Sequence, residues 1–222
     1  MNIEIKNISK SYGKKAVLDG ISFRAQGGKC IGILGGNGCG KSTLLSILAG
    51  IQKCDSGEFL YEGKNLFEFP RQRSELIGYV PQGTPLIEEL NARDNLLLWY
   101  DKKSLSRELD HGVLAMLGID KFLKTTVSKM SGGMKKRLSI GCAIAKRPPV
   151  LLLDEPMAAL DLACKQTILE YLSLHKERGG ILLLATHDVL ELELCDECHI
   201  IKDGKISPFL YEGDIEKLIK RL

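Results

Sequence analysis

Nine residues, Gly35-Gly36-Asn37-Gly38-Cys39-Gly40-Lys41-Ser42-Thr43, bring four glycines, a lysine and two hydroxyls together. The spacing fits G-x-x-x-x-G-K-[ST]. Glycines let backbone N–H groups wrap a phosphate, and a helix beginning at the lysine adds its positive end. Lys41 would then reach the β and γ phosphates, and Ser42 would ligate Mg²⁺. A second chemical stretch is "VLLLDEP", Val150 to Pro156. Asp154 closes an apolar run and suits the magnesium-side carboxylate. Glu155 beside it could polarise a water for attack on a γ-phosphate. A third stretch, "MSGGMKKR" from Met130, offers the Ser131 hydroxyl and the Gly132 and Gly133 amides ahead of a basic run. That is a second anion site, incomplete alone, although Ser131 would equally cap its own helix.

These groups need a scaffold, and the flanking pattern describes one. "KCIGILG", "VLLLD" and "GILLLATH" are short apolar runs, each beside a helical stretch. Such alternation predicts a parallel sheet covered on both faces. The helices expected next to them are "KSTLLSILAG", ended by Gly50; "MKKRLSIGCAIAKR", stopped by Pro148-Pro149; and the amphipathic "DLACKQTILEYLSLHKE". "NIEIKNIS" and "AVLDGISFRA" read as strands, the latter with an Asp-Gly turn, and "GEFLYEG" and "LIGYVPQ" as two more. From about Asn91 to Lys129 the pattern is helical. Residues 83–130 are therefore expected to be a helical subdomain inserted into one domain of residues 1–222.

Composition narrows the function classes. The chain has 222 residues, enough for one large domain with an insert. A net charge of +3 is too small to argue for a nucleic-acid partner. The apolar runs fall far short of the ~20 residues that span a bilayer, and "MNIEIKNISK" lacks the apolar core of a signal peptide. A cytoplasmic location is expected, with any membrane role needing a partner chain. The seven cysteines are then expected as free thiols. Cys195-x-x-Cys198-His199 matches the pattern of haem attachment, which belongs to exported proteins. "CHIIKDGKIS" reads instead as strand, Asp203-Gly204 turn, strand.

Taken in order, these motifs resemble those of ATP-binding cassette (ABC) ATPases over nearly the whole chain. "SGGM" followed by "KKRLSIGCAIAKRPPVLLLDEP" is similar to the family's signature segment running into its acidic strand end. The resemblance implies an α/β P-loop NTPase core with an N-terminal antiparallel β subdomain and an inserted α-helical one. It implies that Tyr12 stacks on adenine, with Val17 also beside the nucleotide. Gln82 in "YVPQG" would be the Q-loop residue and a further Mg²⁺ ligand. Asp161 in "MAALD" would be the D-loop aspartate at the dimer contact and His187 in "LLATHD" the switch histidine, with Glu155, His187 and Gln82 as the catalytic residues. It also implies ATP and Mg²⁺ as cofactors, and a head-to-tail pair of cassettes. The partner would be a second copy or another ABC subunit, and Ser131, Gly132 and Gly133 would cap the partner's ATP. Separate permease chains would hold the protein on the inner face of the membrane.

The chain departs from the family's commonest signature, LSGGQ, at both ends, with Met130 for Leu and Met134 for Gln. "SGGM" before basic residues, and "LIEELNARDNLLLW" after Gln82, are similar to the ABC-2 exporter class. An exporter motor is thus expected, with an importer motor or a non-transport ABC ATPase as alternatives. Gly36, often proline in the family, and Cys39, often alanine, leave phosphate wrapping intact.

Overall fold

The computed structural model describes residues 1–221. Its centre is a six-stranded sheet in the order β10-β9-β3-β8-β7-β6. The strands are β3 (Cys30–Leu34), β6 (Ile77–Val80), β7 (Val150–Asp154), β8 (Ile181–Ala185), β9 (Glu197–Lys202) and β10 (Lys205–Phe209). The first five are parallel, and β10 returns antiparallel beside β9. Every residue of β3, β7 and β8 is buried, because both faces of a parallel sheet are covered. A second, antiparallel sheet has the order β2-β1-β4-β5, from β1 (Asn2–Tyr12), β2 (Lys15–Gln26), β4 (Ser56–Tyr61) and β5 (Lys64–Asn65). Half of it therefore follows the phosphate loop in the chain, so the antiparallel sheet is not only N-terminal.

Helix α1 (Lys41–Ala49) is packed between the two sheets. Leu44, Leu45, Ile47 and Leu48 are fully buried in one cluster with Ile3 and Ile5 of β1 and Ile31, Ile33, Leu152 and Leu183 of the parallel sheet. A helix apolar on several sides must be covered on several sides. Gly50, in the left-handed region, ends it as expected. The other sheet face carries a second cluster. It joins Leu151, Leu153, Leu182 and Leu184 to the helical stretch α3 (Ala92–Leu97), α4 (Lys102–His111) and α5 (Val113–Met116), with two 3₁₀ turns to Lys129. Helices α6 (Gly132–Ala143) and α7 (Leu162–Glu177) complete that layer.

Three further helices lie outside the pattern read above: α2 (Pro70–Leu76), α8 (Val189–Leu194) and α9 (Ile215–Arg221). Two other expectations are corrected. Asp19-Gly20 is a bulge inside one continuous strand, not a turn. Ile8 pairs with Ile21 and Lys10 with Leu18, which sets Asp19 and Gly20 opposite the single residue Ser9, with Gly20 at φ +70°. The chain reverses at Gly13-Lys14 instead. Helix α6 stops at Ala143, ahead of Pro148, and Arg147 adopts φ +50° on the way to β7. The Asp203-Gly204 turn is formed, with both residues at positive φ. All seven cysteines are free thiols. Cys198 is buried in β9, and the His199 ring packs on Phe23 at 5.4 Å. Among the described residues, no helix is long and apolar enough to cross a membrane.

Candidate functional site

The glycine-rich loop joins the end of β3 to the first residue of α1. Gly40 sits at φ +114° in close contact with β2: a β-carbon there would lie 2.8 Å from Leu18 Cδ2 and 3.0 Å from the Val17 carbonyl. Gly35, at φ +146°, is packed equally closely by Cys39 Sγ and the Ile201 carbonyl. Gly36 and Gly38 face open space, so a phosphate can approach the backbone there. Lys41 is buried, and its ammonium donates to the carbonyls of Gly35 (2.6 Å) and Gly36 (3.3 Å).

Strands β7 and β8 end beside this loop. Asp154 is buried at the tip of β7. Burial raises its carboxyl pKa, and the Ser42 hydroxyl hydrogen-bonded to it works against that rise. A hydroxyl and a carboxylate side by side suit Mg²⁺, which takes one or two protein oxygens alongside phosphates. Among the described residues, no group of three or more His, Cys, Asp or Glu could hold a metal. The next residue, Glu155, is held at φ +47°, a region rare for non-glycine residues. Its N–H donates to the Ala185 carbonyl at 2.8 Å, which fixes the strained turn to β8.

Four side chains from four segments converge here. Gln82 Nε2 donates to Glu155 Oε2 at 2.8 Å. His187 Nε2 lies 3.9 Å from Glu155 Oε1 and 2.9 Å from Lys41 Nζ. Burial lowers the His187 pKa, and the neighbouring Lys41 charge lowers it further. A neutral imidazole can accept from the Lys41 ammonium, which places its own proton on Nδ1.

Tyr12, at the end of β1, is half exposed, and its hydroxyl donates to Gln52 Oε1 at 2.5 Å. Its ring is open on the surface, with Lys10 Nζ 5.6 Å from the centroid. Ser131 caps α6, its hydroxyl accepting from the Met134 N–H at 3.2 Å. Gly132 faces open space, while Gly133 lies against Cys164 of α7, whose cap is Asp161. The basic run after the signature does not present an anion site. Lys135 pairs with Glu88, Lys136 is buried, and Arg137 donates to the Leu117 carbonyl. Lys136 escaped the sequence reading, though its spacing to Ser139, Ile140 and Ala143 marks the inward face of α6. Glu191 escaped it too: it is buried in α8, and its Oε1 accepts from the Met157 N–H at 2.9 Å.

The match to known families decides what this assembly is. Residues 18–158 match the family described as ABC transporter. The chain belongs to the ABC transporter family. Among relatives of this ABC cassette is the linearmycin resistance ATP-binding protein LnrL of Bacillus subtilis (strain 168). It is 35% identical over 213 residues, covering 92% of the chain and 67% of LnrL. The Nod factor export ATP-binding protein I of Sinorhizobium fredii is 37% identical over 208 residues, covering 91% and 61%. The spermidine/putrescine import ATP-binding protein PotA of Mycoplasma mycoides subsp. mycoides is 35% identical over 211 residues, covering 92% and 60%. The chain thus spans between 60% and 67% of the length of these curated relatives. A dimeric ATP-binding cassette in a post-hydrolysis state, bound to ADP and Pi, superposes with a TM-score of 0.82 at 27% identity. The match covers 94% of this chain and 99% of that one. This ABC cassette is an ATP-binding ATPase.

Proposed function

We propose that this ABC ATPase drives a membrane exporter, working as one of a pair of cassettes beside separate membrane-spanning chains. In that reading it sits on the inner face of the membrane without entering it. The observation that carries the chemistry is the convergence of Lys41, Gln82, Glu155 and His187 around the mouth of the glycine-rich loop. Glu155 is the base that orients the attacking water, held by Gln82 on one oxygen and approached by His187 at the other. Lys41 exchanges the loop carbonyls for the β and γ phosphates of ATP, and the amides from Gly36 to Thr43 wrap them. Ser42, Asp154 and Gln82 would hold Mg²⁺, which neutralises charge on the transferred phosphoryl group when bound. Tyr12 and Val17 flank the adenine.

The trans arrangement is supported by where the signature lies. Ser131 and Gly132 are exposed at the start of α6, and Asp161 is exposed at the start of α7, so both helix starts face outward together. Export is supported by the "SGGM" signature and by relatives named for resistance and export. An importer reading has the 35% identity to PotA in its favour.

Two measurements test the proposal. Glu155→Gln keeps shape but removes the base, so hydrolysis should fall by about 10²–10⁴-fold while ATP binding persists. A variant retaining roughly a tenth of wild-type turnover would mean another group is the base. For direction, the tagged chain should co-purify from detergent-solubilised membranes with a multi-span chain and hydrolyse ATP without a solute-binding protein. A strict requirement for such a protein would make it an importer motor.

A further inference from the structure

Lys136 is 5% exposed, and its ammonium donates to the carbonyls of Pro81 and Gln82, both at 3.0 Å. It stands on the second turn of α6, the helix capped by Ser131. An ammonium placed in a protein interior costs several kcal/mol unless it is hydrogen-bonded. The two carbonyls it reaches belong to the segment whose next polar group, the Gln82 amide, donates to Glu155. Burial lowers the Lys136 pKa, and the nearby carboxylates of Asp154, Glu191 and Glu155 oppose that fall. One side chain therefore links the signature helix to the backbone that aims Gln82. Helical stretch 92–129 and the parallel sheet also meet through apolar contacts. A two-carbonyl clamp fixes direction as well, because both acceptors must lie within hydrogen-bond range of one nitrogen.

We infer that Lys136 is a positioning residue: it couples the orientation of the signature helix to the placement of Gln82 against Glu155. The coupling rests on the hydrolysis reading above. When the start of α6 engages a partner's nucleotide, the displacement of the helix carries the Pro81-Gln82 backbone with it. Gln82 then sets or releases the Glu155 carboxylate. The partner's nucleotide is thereby reported to this chain's own base through one ammonium. An apolar side chain of similar volume in place of a buried charge is often neutral or stabilising, so Lys136→Met is expected to fold.

The test is a cycle of Lys136→Met and Gln82→Ala, singly and together, in the paired full chain, with Lys136→Arg as the conservative variant. ATP affinity, steady-state kcat and thermal melting are measured for each. Misplacement of a catalytic group by about 1 Å costs on the order of 10²-fold. Lys136→Met should therefore lower kcat by roughly 10- to 100-fold, with ATP affinity held within about twofold. Lys136→Arg should recover most of that loss. In the Gln82→Ala background, Lys136→Met should cost no more than about a further twofold, because groups acting in series are not additive. Single-turnover phosphate release extends the range for the slowest variants. If Lys136→Met aggregates, Lys136→Gln, which keeps a neutral donor, replaces it. A kcat within about twofold of wild type in Lys136→Met overturns the inference, as does the same fold-loss with and without Gln82. A wild-type pair that hydrolyses no ATP overturns the hydrolysis reading instead, so the two failures are distinct.

Discussion

Glu191→Gln should flatten the pH dependence of stability. Glu191 is 1% exposed in α8. Its Oε1 accepts from Met157, but Oε2 has no hydrogen-bond partner. Burial pushes its carboxyl from 4.5 up to about 7; the Thr186 hydroxyl and Met157 N–H pull it down, Asp188 pushes it further up and Lys165 opposes. The folded chain therefore holds this proton more tightly than the unfolded chain does. The stability that comes with the proton is complete below pH 4.5 and is lost as pH rises through 7. A shift of this size is worth about 3 kcal/mol in full, of which about 2 kcal/mol falls between roughly pH 5.5 and pH 8. The glutamine keeps the carbonyl that Met157 needs and cannot ionise. Relative to Glu191→Gln, wild type should lose about 2 kcal/mol over that interval, or about 4–8 °C in melting temperature for a chain of this length. The assay is thermal melting of both proteins across the interval, without nucleotide. Other titrating groups are common to both and drop out of the difference. Curves that stay parallel within about 0.5 kcal/mol would refute the reasoning, because Glu191 would then be ionised in the folded chain or solvated in a way its burial does not allow.

Three other outcomes are expected. Gly40→Ala should both destabilise the fold and abolish ATP binding, since its β-carbon would collide with Leu18 at φ +114°, while Gly36→Ala meets open space and should leave melting unchanged; equal melting temperatures for the two would count against it. Thiol alkylation at half-buried Cys39, inside the loop, should block ATPase activity, bound MgATP should slow the block, and Cys39→Ala should be resistant with most activity kept; an alanine variant inhibited just as readily refutes this. Mixing Lys41→Ala with Ser131→Arg subunits at high concentration should leave one intact site per mixed dimer and recover ATP capture, whereas wild type mixed with the doubly altered subunit should give mixed dimers with none; recovery only in the second mixture would mean that the signature serves its own chain.

The motif residues were legible because each carries its context with it. An apolar run before Gly35, or before Asp154, is a strand that must be buried, and the polar residue at its end can only face the loop. What escaped depends on partners far along the chain. Asp19-Gly20 has the composition of a turn, and its glycine does take a positive φ. Whether the strand reverses there is decided by the register with β1, which a local reading cannot see. Helix α2 has no buried residue, so it shows no apolar period. Helix α8 is only six residues long and includes the buried Glu191. Lys136 is one of three consecutive basic residues, and that run by itself does not single it out. Its spacing to Ser139, Ile140 and Ala143 placed it on the inward face, but only the Pro81 and Gln82 carbonyls explain a charge there.

The position of β3 between β8 and β9 has a consequence for how the chain is made. Cys30 pairs with Leu182, and Leu34 with Ile200. The ribosome therefore delivers the apolar stretch that launches the glycine-rich loop on the order of 10 s before its sheet neighbours exist. During that wait β1 and β2 can close as a hairpin, and β4 can join them, because their contacts are nearer in sequence. Helix α1 then has only one of its two covering sheets, and β3 has neither of its sheet neighbours. A nascent chain stalled before Ile181 would expose "CIGIL" and the outer face of α1, a hydrophobic surface for a chaperone or for another stalled chain. Gly35 packs against the Ile201 carbonyl of β9, so the loop takes its nucleotide-wrapping shape only once β9 is in place.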